Sequence, residues 1–167
     1  MKRVFVDTGA FFAVLIPEDL HHERARAIFA RASKEGWQLV TTNIVVIETH
    51  ALLLNRAHGG RPSALALLDV IESDEYHLER VRESDEAAAI ALVRAHEDKT
   101  YSLCDAMSFV VMERMNITDA IAFDRHFAEY GRPSPPRSRV AASPREDAGR
   151  GEKWVRSPLP ASSRGEG

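Results

Sequence analysis

The chain has little of what would classify it quickly. A single cysteine, Cys104, is present; no internal disulfide can form, and a reducing cytoplasm is the expected setting. No apolar run approaches the ~20 residues that a membrane-spanning helix needs. The opening Met1-Lys2-Arg3-Val4-Phe5-Val6-Asp7 reaches an acid too soon for a secretory leader, and the apolar stretch Ala10 to Ile16 lacks a cleavage region after it. Internal repeats are absent. So is an excess of positive charge: the formal net charge is −3. A body that clamps phosphates by charge alone is usually basic, and this one is not.

The modest net charge hides an asymmetry. Residues 1–131 hold 14 basic and 21 acidic side chains, and residues 132–167 hold 8 and 4. An acidic body suits a site that gathers cations before it meets an anion. The last 36 residues also carry 6 of the 8 prolines, 6 serines and 4 glycines, without apolar periodicity. They read as a disordered tail. The 167 residues therefore divide into one domain over 1–131 and a tail over 132–167. With 44% hydrophobic and 28% charged residues, the domain can bury a core unaided.

Within the domain, strand and helix signals alternate. Val4-Phe5-Val6 is a continuous apolar run, as in a strand buried on both faces. A helix is expected from Thr8 to Ile16, stopped by Pro17, and another from Glu23 to Lys34, ending at Gly36. Gln38 to Thr41 reads as a strand. Asn43 is placed to cap a helix from Ile44 to about Ala57, closed by Gly59-Gly60. Pro62 suits the first turn of a helix reaching about Ser73. Tyr76 to Val81 reads as a strand, Ser84 as the cap of a helix to Ala95, and Ser102 as the cap of one through Met115. Ala120 to Phe123 is the last clear strand, with a helical turn after Asp124. The alternation predicts an α/β fold, a parallel sheet covered by helices on both faces.

Two apolar strands end in an aspartate, Val4-Phe5-Val6-Asp7 and Ile121-Ala122-Phe123-Asp124. Ligands of open parallel sheets bind outside the carboxyl ends of the strands. On neighbouring strands, Asp7 and Asp124 would face one crevice; the alternative for each is a helix cap and nothing more. Glu48 lies on an apolar helical face with Ile44, Ala51 and Leu52. A lone carboxylate there is costly unless it is paired or binds metal. An ion pair with an arginine and a metal site are both open. Asp105 follows Ser102 by three residues, a capping-box spacing. The positive end of that helix favours its ionised form, which also suits a metal ligand.

Two unit charges ~4 Å apart repel by about 4 kcal/mol at an effective dielectric near 20. Four carboxylates in one pocket would therefore protonate or bind cations. An all-oxygen set favours Mg²⁺ or Mn²⁺ over Zn²⁺. Such a site can activate water for in-line attack on a phosphodiester.

The motifs Val6-Asp7-Thr8, Glu48 in its apolar helix, Ser102-Leu103-Cys104-Asp105-Ala106-Met107-Ser108-Phe109 and Ala122-Phe123-Asp124-Arg125-His126-Phe127 resemble, in order and spacing, those of the PIN-domain nucleases. They are most similar to the VapC-type toxins of bacterial and archaeal toxin–antitoxin pairs. The resemblance covers residues 2 to about 131. It implies a three-layer α/β/α sandwich and an endoribonuclease using Mg²⁺ or Mn²⁺. Asp7, Glu48, Asp105 and Asp124 match the family's metal-binding acids, and Thr8 and Ser102 match hydroxyls that support the site or its water. It further implies a homodimer silenced by a small antitoxin. One departure stands out. The family continues after the fourth acid with a short apolar edge strand, where this chain has Gly131-Arg132-Pro133-Ser134-Pro135-Pro136. Proline demotes a strand, so that strand is expected to be missing or replaced. A shifted reading frame would explain it, and the other two frames of the coding DNA would then encode an apolar strand after Gly131.

Rival readings are a PIN-like module that binds antitoxin or RNA without cutting, and a phosphotransferase using Asp7 as nucleophile. The latter often has a second aspartate two residues on, where this chain has Gly9. Asp7-Thr8-Gly9 also matches an aspartic-protease motif, but that enzyme needs two copies in a β-rich fold. His21, His22 and His126 are expected to face solvent at helix starts. Lys99 and Arg125 are candidates for phosphate contact or for surface ion pairs. The stripe Leu103, Met107, Val110, Val111 and Met115 is expected to pack in the core.

Overall fold

The computed structural model describes residues 1–56, 60–130 and 155–156. The chain runs β1 (Arg3–Val6), α1 (Thr8–Leu15), α2 (His22–Glu35), β2 (Gln38–Thr42), α3 (Asn43–Arg56), α4 (Gly60–Glu72), β3 (Tyr76–Glu79), α5 (Glu83–Ala95), α6 (Leu103–Arg114), β4 (Asp119–Ile121), α7 (Arg125–Glu129) and β5 (Val155–Arg156). The sheet order is β3-β2-β1-β4-β5, parallel except for β5. This is the expected α/β architecture. From β1 the chain moves outward to β2 and β3, then returns past β1 to β4. The helices of the outward steps, α1 to α4, pack on one another, and α5 packs on α6 of the return, the two groups that the right-handed crossover rule assigns to opposite faces of a parallel sheet.

β1 lies at the centre because its sequence permits nothing else. Val4, Phe5 and Val6 are fully buried, and only a central strand with both faces covered removes three consecutive apolar residues from water. The Phe127 ring lies nearly parallel to Phe5 of β1, centroids 6.2 Å apart, and meets Phe109 of α6 edge-on at 4.9 Å.

Several local expectations need correction. The cap of α3 is Thr42, whose hydroxyl accepts from Val45 N at 3.2 Å; Asn43 instead accepts from Val81 N at 2.9 Å and ties α3 to the end of β3. α5 begins two residues early, at Glu83. Its N-cap is Arg82, whose backbone N–H donates to Asp85 at 2.9 Å, so Ser84 lies inside the helix. β3 and β4 stop short of the expected ends, at Glu79 and Ile121. Leu103 is 43% exposed and so leaves the α6 core stripe. Within the segment expected to be disordered, Val155–Arg156 pairs antiparallel with Asp119 and Ala120 of β4 and forms the fifth strand. At the edge where the usual strand was expected to be missing or replaced, β5 stands beside β4. The rest of that segment lies outside the described residues, as does Gly59.

Gly60 opens α4 rather than closing α3. A Cβ there would come within 2.0 Å of the Leu53 carbonyl oxygen on α3. Helix propensity alone would make Gly60→Ala stabilising by up to about 1 kcal/mol. The contact reverses the sign. We expect Gly60→Ala to destabilise by about 1–3 kcal/mol, as overpacking does. Urea denaturation checks this, and a stabilised variant would refute the close approach of α3 and α4.

Candidate active site

β1 is the topological switch point: the chain leaves it toward β2 on one side and comes back to β4 on the other. Crevices open at the carboxyl ends of strands at such points. Asp7 follows β1 directly, and its backbone N–H donates to Ile121 O at the end of β4 at 3.2 Å. Asp124 lies three residues past Ile121, the end of that strand, and caps α7. The two strand-end aspartates therefore border one crevice. Each also caps a helix, Asp7 accepting from Gly9 N at 3.3 Å and Asp124 from His126 N at 2.7 Å. Capping and cleft placement coexist.

The cleft holds about 370 Å³ and is lined by Asp7, Thr8, Gly9, Glu48, Leu52, Thr100, Ser102, Asp105, Asp124 and His126. All six residues singled out in the sequence border it. Glu48 comes from α3, and its partner is the Thr8 hydroxyl, which donates to Oε2 at 2.6 Å. Its other neighbour is the Cys104 thiol on α6, which burial first and the Glu48 charge second push far up from its ordinary value. Among the described residues no arginine pairs with Glu48. Asp105 and Ser102 form a reciprocal capping box: Ser102 N donates to Asp105 Oδ2 at 2.9 Å, and Asp105 N to Ser102 Oγ at 3.0 Å. The box fixes the Asp105 rotamer at the positive end of α6.

Asp7 is the electrostatic centre. It is only 5% exposed, and its pKa is pushed from 3.8 to about 7. Burial is the main cause. The Gly9 and Thr8 backbone N–H groups oppose it, while the charges of Asp105 and Glu48 add to it. That mutual repulsion, among side chains offering only oxygen, is the condition a hard divalent cation relieves. Among the described residues no three His, Cys, Asp or Glu side chains already stand close enough to cage an ion. Their present hydrogen bonds hold them around the cleft instead.

Sequence reasoning missed His126, expected to face solvent. Its side chain is 15% exposed and reaches Asp105, Asp124 and Thr100. The available signal was its position two residues after a capping aspartate, which brings its backbone N–H under that carboxylate. His22 is also inward, its Nδ1 2.8 Å from Ala13 O, and His21 stacks on Phe123 at 4.8 Å. Lys99 pairs with Asp98 at 3.8 Å, and Arg125 is exposed. No helix among the described residues is long and apolar enough to cross a membrane.

Comparison with known proteins places this arrangement in context. A family model described as the PIN domain matches residues 4–133. The chain is 32% identical over 128 residues to the 23S rRNA-specific endonuclease VapC20 of Mycobacterium tuberculosis strain H37Rv, covering 77% of this chain and 94% of that protein. It is 30% identical over 125 residues to a VapC ribonuclease of Archaeoglobus fulgidus, covering 74% and 78%. The crystal structure of Mycobacterium tuberculosis VapC20, described as a sarcin–ricin loop cleaving toxin, aligns with a TM-score of 0.68 at 31% identity over 73% of this chain and 90% of that one. FitAcB from Neisseria gonorrhoeae aligns at 0.52 and 17% identity, over 74% and 88%, a likeness of fold alone.

Proposed function

We propose that this chain, which belongs to the PIN-domain family, is a divalent-cation-dependent endoribonuclease that serves as the toxin of a toxin–antitoxin pair. The observation that carries the reading is the convergence of Asp7, Glu48, Asp105 and Asp124 on one cleft, with Asp7 driven to about 7 by burial and by its acidic neighbours. The donor set is all carboxylate, which favours Mg²⁺ or Mn²⁺. Asp7 and Asp124 would hold the principal ion, with Glu48 and Asp105 completing the set. When bound, such an ion supplies water activation and neutralises charge on the phosphodiester during in-line attack. The chain's own residues do the positioning. Thr8 fixes Glu48 by its hydroxyl, and Ser102 fixes Asp105. The cleft stays open to a polymer because it forms outside the carboxyl ends of β1 and β4 and not in a closed cavity.

RNA is the proposed substrate, because both relatives are ribonucleases. An antitoxin and a second copy of the chain are the proposed protein partners. Exposed Ile47 and Leu54 on α3, with Leu65 and Leu68 on α4, support protein-covered surface there. The test is incubation of the purified chain with total RNA and with 23S rRNA, under Mn²⁺, Mg²⁺ or EDTA. Discrete fragments that need the metal are expected. Antitoxin or RNA binding without cleavage in any metal would mark an inert module instead.

A further inference from the structure

His126 touches more of the cleft's polar groups than any one of the four acids does. Its Nδ1 is 3.1 Å from Asp105 Oδ2 and 3.3 Å from Asp124 Oδ1. Its Nε2 is 3.1 Å from Thr100 Oγ1, and its ring stands edge-on to Tyr101 at 5.6 Å and 84°. An ionised carboxylate only accepts hydrogen bonds. Nδ1, facing two of them, must therefore carry a proton. Thr100 can donate, so Nε2 can remain an acceptor. The ring is thus held in one tautomer and one orientation from three directions.

The oxygens of the two aspartates are divided by these contacts. Asp105 commits Oδ2 to Ser102 N and His126, and Asp124 commits Oδ1 to the backbone and ring of His126. Among the described residues, hydrogen bonds reach neither Asp105 Oδ1 nor Asp124 Oδ2. One oxygen of each carboxylate is fixed by protein, and the other remains for a ligand.

We propose that His126 is a positioning residue of the cation site: its Nδ1–H gathers Asp105 and Asp124, which come from different helices, into one arrangement with a free oxygen apiece. The inference rests on the reading of the four acids as a cation site. It adds a residue that acts through them. Hydrogen-bonding partners of metal ligands orient the ligands, and their loss costs about 10–100-fold in metal affinity.

The test is Mn²⁺ binding to the full chain by calorimetry, with melting in EDTA as the control for folding. His126→Ala should lower Mn²⁺ affinity by about 10–100-fold. His126→Asn places an amide N–H where Nδ1 stood and should recover most of the loss. His126→Gln reaches only the Nε2 position and should not. A folded His126→Ala with wild-type affinity, or equal rescue by Asn and Gln, overturns the proposal. Should the variants not fold, ¹⁵N NMR of the metal-free wild type decides: a proton on Nδ1 supports it, and a bare Nδ1 overturns it. If the wild type itself binds no Mn²⁺, the cation-site reading falls and takes this proposal with it. Loss confined to the histidine result leaves that reading standing.

Discussion

Asp7→Asn should remove RNA cleavage, by at least about 10²-fold, the scale of losing one preorganised electrostatic contact. It should also give a metal-free protein that is more stable than the wild type above neutral pH. Both effects follow from burial. Asp7 is 5% exposed, and its carboxyl is lifted from 3.8 to about 7. The folded state resists its ionised form by about 4 kcal/mol. The pH dependence follows from linkage. Below 3.8 both states hold the proton and the burden is absent. Between 3.8 and about 7 the folded state keeps a proton that the unfolded chain has lost, so wild-type stability falls as pH rises. Above that window the burden is constant. An asparagine carries no charge and still accepts from Gly9 N. In EDTA the variant should therefore gain up to about 4 kcal/mol near pH 8, and that gain should vanish by about pH 4. Mn²⁺ should reverse the order, because an ion that binds only the wild type stabilises only the wild type. Urea denaturation with and without Mn²⁺, beside an RNA cleavage assay, measures all of this. Undiminished cleavage would sink the role given to Asp7. Equal stabilities at pH 8 in EDTA would mean that its carboxylate is better solvated than its burial implies.

What the sequence disclosed was whatever rests on short-range pattern. Val4-Phe5-Val6 could only be an interior strand, and the acids that follow β1 and β4 could only stand at the sheet's carboxyl edge once those strands were parallel neighbours. Ser102 and Asp105 were legible as a pair because a capping box is local. The failures share one cause. A cap is won by the side chain whose geometry fits, and long-range partners change the contest. Asn43 was drawn away from α3 by Val81, 38 residues on, and left the role to Thr42. At α5 the Asp85 carboxylate, already turned inward toward Arg114, took the Arg82 N–H and moved the start past Ser84. His126 was misjudged for the same reason. Its partners Thr100 and Asp105 lie 26 and 21 residues upstream, and nothing in its own neighbourhood of sequence announces them. β5 pairs with residues 35 or more positions away, beyond any periodicity.

The largest effect on stability should come from outside the cleft, at Arg114. Its guanidinium spans three elements. Nε and Nη2 donate to Asp85 on α5, both at 2.9 Å, and Nη1 donates to Glu79 at the end of β3 at 2.8 Å. The Asp85 side chain is 3% exposed. Burial alone would push its carboxyl up; the Arg114 fork and the Arg82 N–H outweigh burial and hold it below its ordinary value. Glu79 is likewise lowered, first by its bond to Arg114. Arg114→Ala leaves a buried charge without its partner, which costs about 3–5 kcal/mol. Arg114→Lys keeps the charge but not the fork, and should fall between. The sign with pH is fixed by the lowered carboxyls. Their contribution is present above the usual carboxylate range and is lost as pH falls through the folded values. In the alanine variant Asp85 can shed its charge by taking a proton. The gap between wild type and variant should therefore be widest near neutrality and close in acid. The site should be spared: α6 carries Arg114 at one end and Asp105 near the other, about 13–14 Å apart by helical rise. At a temperature where both proteins are folded, Mn²⁺ affinity should match. A gap that persists in acid would mean that the arginine acts mainly by packing its stem. Impaired Mn²⁺ binding in the folded variant would mean that α6 transmits the loss along its length to the cleft.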